Sequence, residues 1–181
     1  MDIPSFRLSR WAEATARPGP AAQPRLECRP AASAAELAAH YAVRYQVFVR
    51  EQGIFAADDR DLHDEEPGVI HVVGLVDSVV RGAVRLYPLD PATGLWQGDR
   101  LAVLGGYRRH GLGVPLVRFA VHAAGQRGGR EMVAHIQPGN VRFFAHLGWR
   151  AVGEVEDYVG IPHQRMVIAL TRPEGPSPLP C

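Results

Sequence analysis

The sequence predicts an α/β fold in which a mixed, mostly antiparallel sheet is flanked by helices. Two observations carry this. Strand-like and helix-like segments follow in the order strand, helix, three strands, helix, strand, helix, two strands. The 181 residues are 46% apolar, enough for one domain with a proper core and too few for two comfortable ones. The order lacks the repeated βαβ units of a doubly wound dinucleotide-binding sheet.

Residues 1–23 mix Ala, Pro, Arg and Gly and read as a mobile arm, with Phe6 and Trp11 placed to dock on the body or on a second subunit. The folded unit is expected over 24–171, and residues 172–181 read as a Pro-rich tail. A short first strand fits residues 25–29. Ser33-Ala34-Ala35-Glu36 is a capping box, so a helix starts at Ser33, and Gly53 ends it. Leu37, Tyr41, Arg44, Phe48 and Glu51 follow at steps of four and three and would share one helix face. An arginine and a glutamate on that apolar stripe need a reason.

An acidic loop spans Asp58–Glu66. Val69–Val76 reads as a strand, Asp77-Ser78 as a tight turn, and Val79–Leu89 as the antiparallel partner. A further strand covers Trp96–Val103 and is broken by Gly105-Gly106. A helix is expected over Gly111–Gln126. Pro115 is tolerated there because it falls in the first turn, where its missing N–H would have no partner anyway. The strand Glu131–Gln137, a short helix over Val141–Leu147, and strands near 150–158 and 164–170 complete the order.

Composition excludes several functions. The net charge of +1 argues against nucleic-acid and membrane-surface binding, which need a concentrated basic field. All 20 basic residues are arginines, which rules out chemistry through a lysine Schiff base or a P-loop lysine. Cys28 and Cys181 resemble neither a disulfide framework nor a zinc cluster, and the eight histidines show no metal-binding spacing, so no metal is expected. No apolar run reaches membrane-spanning length, and a cytoplasmic protein is expected.

The segment Leu101-Ala102-Val103-Leu104-Gly105-Gly106-Tyr107-Arg108-Arg109-His110-Gly111-Leu112-Gly113-Val114 carries the chemistry. It is a strand, a glycine-bearing turn and a helix start. The unpaired N–H groups at a helix N-terminus, together with the helix dipole, suit a diphosphate. Gly111 and Gly113 let the backbone approach phosphate oxygens, and Arg108 and Arg109 add charge-assisted hydrogen bonds. A second motif follows at Asn140-Val141-Arg142-Phe143-Phe144-Ala145-His146-Leu147-Gly148-Trp149.

These two motifs resemble the GNAT N-acetyltransferase superfamily. Arg108, Gly111 and Gly113 match its pyrophosphate loop, and Asn140 to Trp149 resembles its second motif. More narrowly, Arg44-Tyr45-Gln46-Val47-Phe48-Val49-Arg50-Glu51-Gln52-Gly53 and Gly160-Ile161-Pro162-His163-Gln164-Arg165-Met166 are similar to a bacterial subgroup with these segments. The resemblance implies the acyl-CoA N-acyltransferase fold and acetyl-CoA as cosubstrate. It implies cofactor contacts from Leu101, Ala102, Val103, Arg108, Arg109, His110, Gly111, Leu112, Gly113, Val114, Asn140, Phe143 and Phe144. An acetyl group would pass directly to the amine of a small-molecule acceptor, and a homodimer is possible in such a family.

Chemistry then needs a base for the ammonium and a donor for the leaving thiolate. The family's usual acid is a tyrosine at the position of Phe144, which has no proton to give; Tyr158 and His163 are the substitutes. Asp99 and Glu51 are the carboxylate candidates for the base, and His163 joins them as a catalytic residue. Arg44, Glu51 and Gln137 are the expected acceptor contacts. A non-catalytic acyl-CoA sensor is the alternative that Phe144 motivates, and an acyl-homoserine-lactone synthase is the nearest enzymatic rival.

Overall fold

The structure, a computed structural model, describes residues 23–158 and 160–171. The expected tail, and the expected arm up to residue 22, lie outside these residues. The elements are β1 (Leu26–Pro30), α1 (Ala34–Arg44), β2 (Ile70–Val76), β3 (Val79–Asp90), β4 (Leu95–Val103), α2 (Gly113–Gln126), β5 (Glu131–Ile136), α3 (Val141–His146), β6 (Arg150–Tyr158) and β7 (Ile161–Ala169). The seven strands form one sheet in the order β1-β2-β3-β4-β5-β7-β6. Every pairing is antiparallel except β4 with β5.

Local signals account for the element starts. The Ser33 hydroxyl accepts from the Glu36 N–H at 3.2 Å, so α1 begins where the capping signal lies. The reciprocal bond differs from the expected box. Glu36 accepts from the Ala32 N–H at 2.8 Å and takes a two-pronged bond from Arg29. The turn Asp77-Ser78 has positive φ at both residues, which matches the twist of a two-residue hairpin.

Two expectations need correction. The first helix is not continuous: α1 stops at Arg44 and a π-helical turn covers Tyr45–Glu51. Its buried side is His40, Val43, Arg44, Val47 and Phe48 rather than the Leu37–Tyr41–Glu51 stripe. Wider π turns rotate later residues away from an ideal 3.6-residue face, and Glu51 ends exposed. Second, a 3-10 helix over Gly105–His110 precedes α2, so the glycine pair bends the chain without opening it into a loop.

The main core lies between the sheet and α2 with α3, built on Val72, Val84, Leu86, Leu112, Leu116, Ala120, Met132, Phe144 and Trp149. A smaller cluster of Val43, Val47, Phe48, Ala83 and Ala102 seats the first helix on the sheet. Gly82 is what lets α2 sit close. A Cβ there would come within 2.7 Å of Leu116 and 2.9 Å of Leu112. Both leucines are fully buried, so the start of α2 is pinned over β3.

Candidate active site

β4 and β5 pair over only three positions, Leu95–Gln97 against Glu131–Val133. Beyond them the strands diverge and leave a cleft through the sheet. Its wall includes Gln97, Asp99, His135, Asn140, Phe144, Trp149, Tyr158 and His163, with Phe48, Ile54 and Phe55 at the side of the π-helical turn. The divergence begins after the Gln97–Val133 pair.

Toward the start of α2, beyond the residues that line the cleft, stands the glycine turn. Gly111 has φ +78, a left-handed conformation that favours glycine. Among the described residues no backbone carbonyl accepts from the N–H groups of Leu112 and Gly113. The Gly113 amide, at the start of a 14-residue helix, is therefore free to meet an anion, whereas Leu112 is wholly buried. Arg109 and His110 are exposed beside it, and Phe143 approaches Gly113. Arg108 departs from expectation. Its guanidinium bonds Glu51 of the π-helical turn and the Val103 carbonyl, the latter at 3.0 Å.

Within the cleft stand the groups able to move protons. The Nδ1 of His163 lies 3.0 Å from the Ile161 carbonyl. A carbonyl only accepts, so Nδ1 carries the proton and Nε2 keeps its lone pair. Tyr158 packs edge-on to His163 with ring centres 5.4 Å apart and stacks on His135 at 4.4 Å. His135 lies 3.3 Å from Glu156, and burial, helped by His163 and Arg165, pushes its pKa down against the pull of that carboxylate.

Several sequence candidates sit elsewhere or are occupied. Asp99 lines the cleft, but both its oxygens accept from Arg85, at 2.8 and 2.7 Å. Glu51 faces the glycine turn, not the proton-transfer end. Arg44 is fully buried, held by Asp59 at 2.8 Å and by Asp64 at 3.0 Å, and cannot touch an acceptor. Gln137 lines the cleft and donates to Gln52 at 3.3 Å.

The feature that sequence reasoning missed is a buried ionic cluster. Arg44, Arg85 and Arg100 bind Asp59, Asp61, Asp64 and Asp99 and so fasten the acidic loop to the sheet. The misplaced-looking Arg44 was the available signal. The two carboxylates on Arg44 respond in opposite ways. Burial raises the pKa of Asp59, whose Oδ1 has no partner. Burial also opposes the charge on Asp64, but the bond from Arg44 outweighs it and holds that carboxyl well below the usual range.

The model of the Acetyltransferase (GNAT) family matches residues 34–149. The chain belongs to the GNAT family. This GNAT protein is 30% identical over 126 residues to the uncharacterized N-acetyltransferase YjcF of Bacillus subtilis (strain 168), covering 69% of this chain and 86% of that one. A solved structure from Lactobacillus plantarum, provisionally named an N-acetyltransferase, shares 29% identity at a TM-score of 0.71. It matches 80% of this chain and 98% of its own. An acyl-CoA N-acyltransferase structure from Pseudomonas aeruginosa shares 27% identity at a TM-score of 0.66, with the same coverage of 80% and 98%. The GNAT chain is thus an acyltransferase of the acyl-CoA N-acyltransferase fold, and its family uses acyl-CoA cosubstrates. No helix among the described residues is long and apolar enough to cross a membrane.

Proposed function

We propose that this GNAT acyltransferase transfers an acyl group from a coenzyme A thioester to the amine of a small molecule by direct attack. Acetyl-CoA, the donor expected from the sequence, is the minimal substrate of this reading. One observation carries it: the cleft that opens where β4 and β5 part is lined by Asn140 and Phe144 of the second motif and by His163, whose Nδ1 donates to the Ile161 carbonyl.

The residues fit such a donor. The Gly113 amide at the helix start would hold the diphosphate, with Arg109 beside it. Asn140 would bond the pantetheine amides. The bound thioester supplies an electrophilic carbonyl between β4 and β5. The edge of β4 past Gln97 has no strand partner on that side, so backbone N–H groups near Leu101–Val103 are the donors for the developing oxyanion.

His163 takes the ammonium proton at Nε2. Asp99 is unsuited to that work, because the Arg85 fork occupies both its oxygens. Tyr158 replaces the hydroxyl that Phe144 lacks and gives its phenol proton to the departing thiolate. Glu51 and Arg44 have no part in the chemistry on this reading.

The test is incubation with acetyl-CoA and a panel of small amines, with free CoA measured by chromatography. Amine-dependent release that is lost in His163→Gln supports the enzyme. Tight CoA binding with no release for any amine favours a sensing module, and no CoA binding at all defeats both.

A further inference from the structure

The cleft has two chemically different halves. One carries Gln97, Asp99, His135, Tyr158 and His163. The other, toward α2, is formed by Val84, Gly98, Val117, Ala120, Met132 and Ala134. Two of these residues are small: Gly98, over which the Met132 sulfur packs where a side chain would stand, and Ala120, which puts a single methyl where α2 faces the sheet.

We propose that this apolar half receives the hydrocarbon of an acyl group longer than acetyl, so that the preferred donor is a short- to medium-chain acyl-CoA. The inference rests on reading the cleft as an acyl-CoA site. The pantetheine arm is a poor occupant for this half. Its amides need partners when taken out of water, and the polar side chains at its border offer few: Trp149 has a lone indole donor with no partner among the described residues, and the Gln97 amide group donates to the Gly98 carbonyl. An acceptor amine is a worse one, because a cation there would lose its water with nothing in return. Hydrocarbon alone gains by entering. An acetyl group ends after one methyl and would leave the apolar floor unfilled, with the lining side chains short of packing partners.

The test needs no acceptor. Calorimetry with CoA, acetyl-CoA, butanoyl-CoA and hexanoyl-CoA reads chain preference directly. Each buried methylene is expected to tighten binding about fourfold, so butanoyl-CoA, with two more, should bind about fifteenfold more tightly than acetyl-CoA. Ala120→Leu is expected to abolish the preference of hexanoyl- over acetyl-CoA, and the smaller step Ala120→Val to reduce it, should the leucine variant not fold. Equal affinity for all the thioesters, or tightest binding of acetyl-CoA, overturns the proposal while leaving the acyl-CoA reading intact. Failure of CoA and of every thioester to bind removes both.

Discussion

At the scale of single residues, hydrogen bonding decides which groups can act. The Ile161 carbonyl takes the Nδ1 proton of His163 and so fixes the free lone pair on Nε2. On the reading above, His163→Gln should lower kcat by about 10²–10⁴-fold with little change in KM for the acyl-CoA, measured by steady-state kinetics. A parallel fall in thermal stability with unchanged kcat would assign the ring to the β6–β7 hairpin instead. His40 behaves differently. It is fully buried, its Nε2 lies 3.3 Å from the Val84 carbonyl, and Nδ1 has no partner. Burial, helped by the charge of Arg44, pushes its pKa down to about 3. The neutral ring is the folded form, so its contribution is complete above the unfolded value near 6.5 and is lost as pH falls toward 3. Between about pH 7 and pH 5 the loss is on the order of 1–2 kcal/mol. Urea unfolding at the two pH values should show it, and a His40→Gln variant should flatten the difference.

At the scale of elements, the turn before α2 and the π-helical turn act on each other. Gly111 holds φ +78, so Gly111→Ala should cost about 1 kcal/mol of stability and weaken CoA binding together, because strain falls on the segment that aims the Gly113 amide. Glu51 engages Arg108, which lies three residues before Gly111. Glu51→Gln should therefore raise CoA affinity severalfold by releasing the guanidinium toward the diphosphate. Unchanged affinity in calorimetry would mean that Arg108 belongs to the bridge and not to the ligand. The pairing could not be foreseen from the helix face, since an ideal helix would have pointed Glu51 toward Arg44. The π turn over Tyr45–Glu51 turned it toward the glycine turn instead.

At the scale of the whole molecule, the ionic cluster joins the acidic loop, the first helix, β3 and β4 into one unit. Asp64 bonds Arg44 and Arg85 with almost no exposed side-chain surface. Removing it leaves two buried guanidinium groups short of a counter-charge, so Asp64→Ala should destabilise the fold by about 3–5 kcal/mol in chemical denaturation. Recovery of the wild-type midpoint at high salt would contradict this, because screening acts on exposed pairs and not on buried ones. The element order, the strand edges to within a few residues, the glycine turn and the absence of a tyrosine at position 144 were all legible beforehand. Each depends on neighbours in sequence: periodicity, caps, turn residues and a short motif. What Asp99, Arg44 and Glu51 do was not legible, because their partners lie 14, 20 and 57 positions away and are set by register and packing. By itself the sequence determined a mixed sheet with a glycine turn leading into a helix start, since local chemistry suffices for both. Only the tertiary structure decided which carboxylates are spent on arginines, which imidazole nitrogen is left free, and that one half of the cleft is apolar, since each depends on side chains from separate elements meeting where β4 and β5 part.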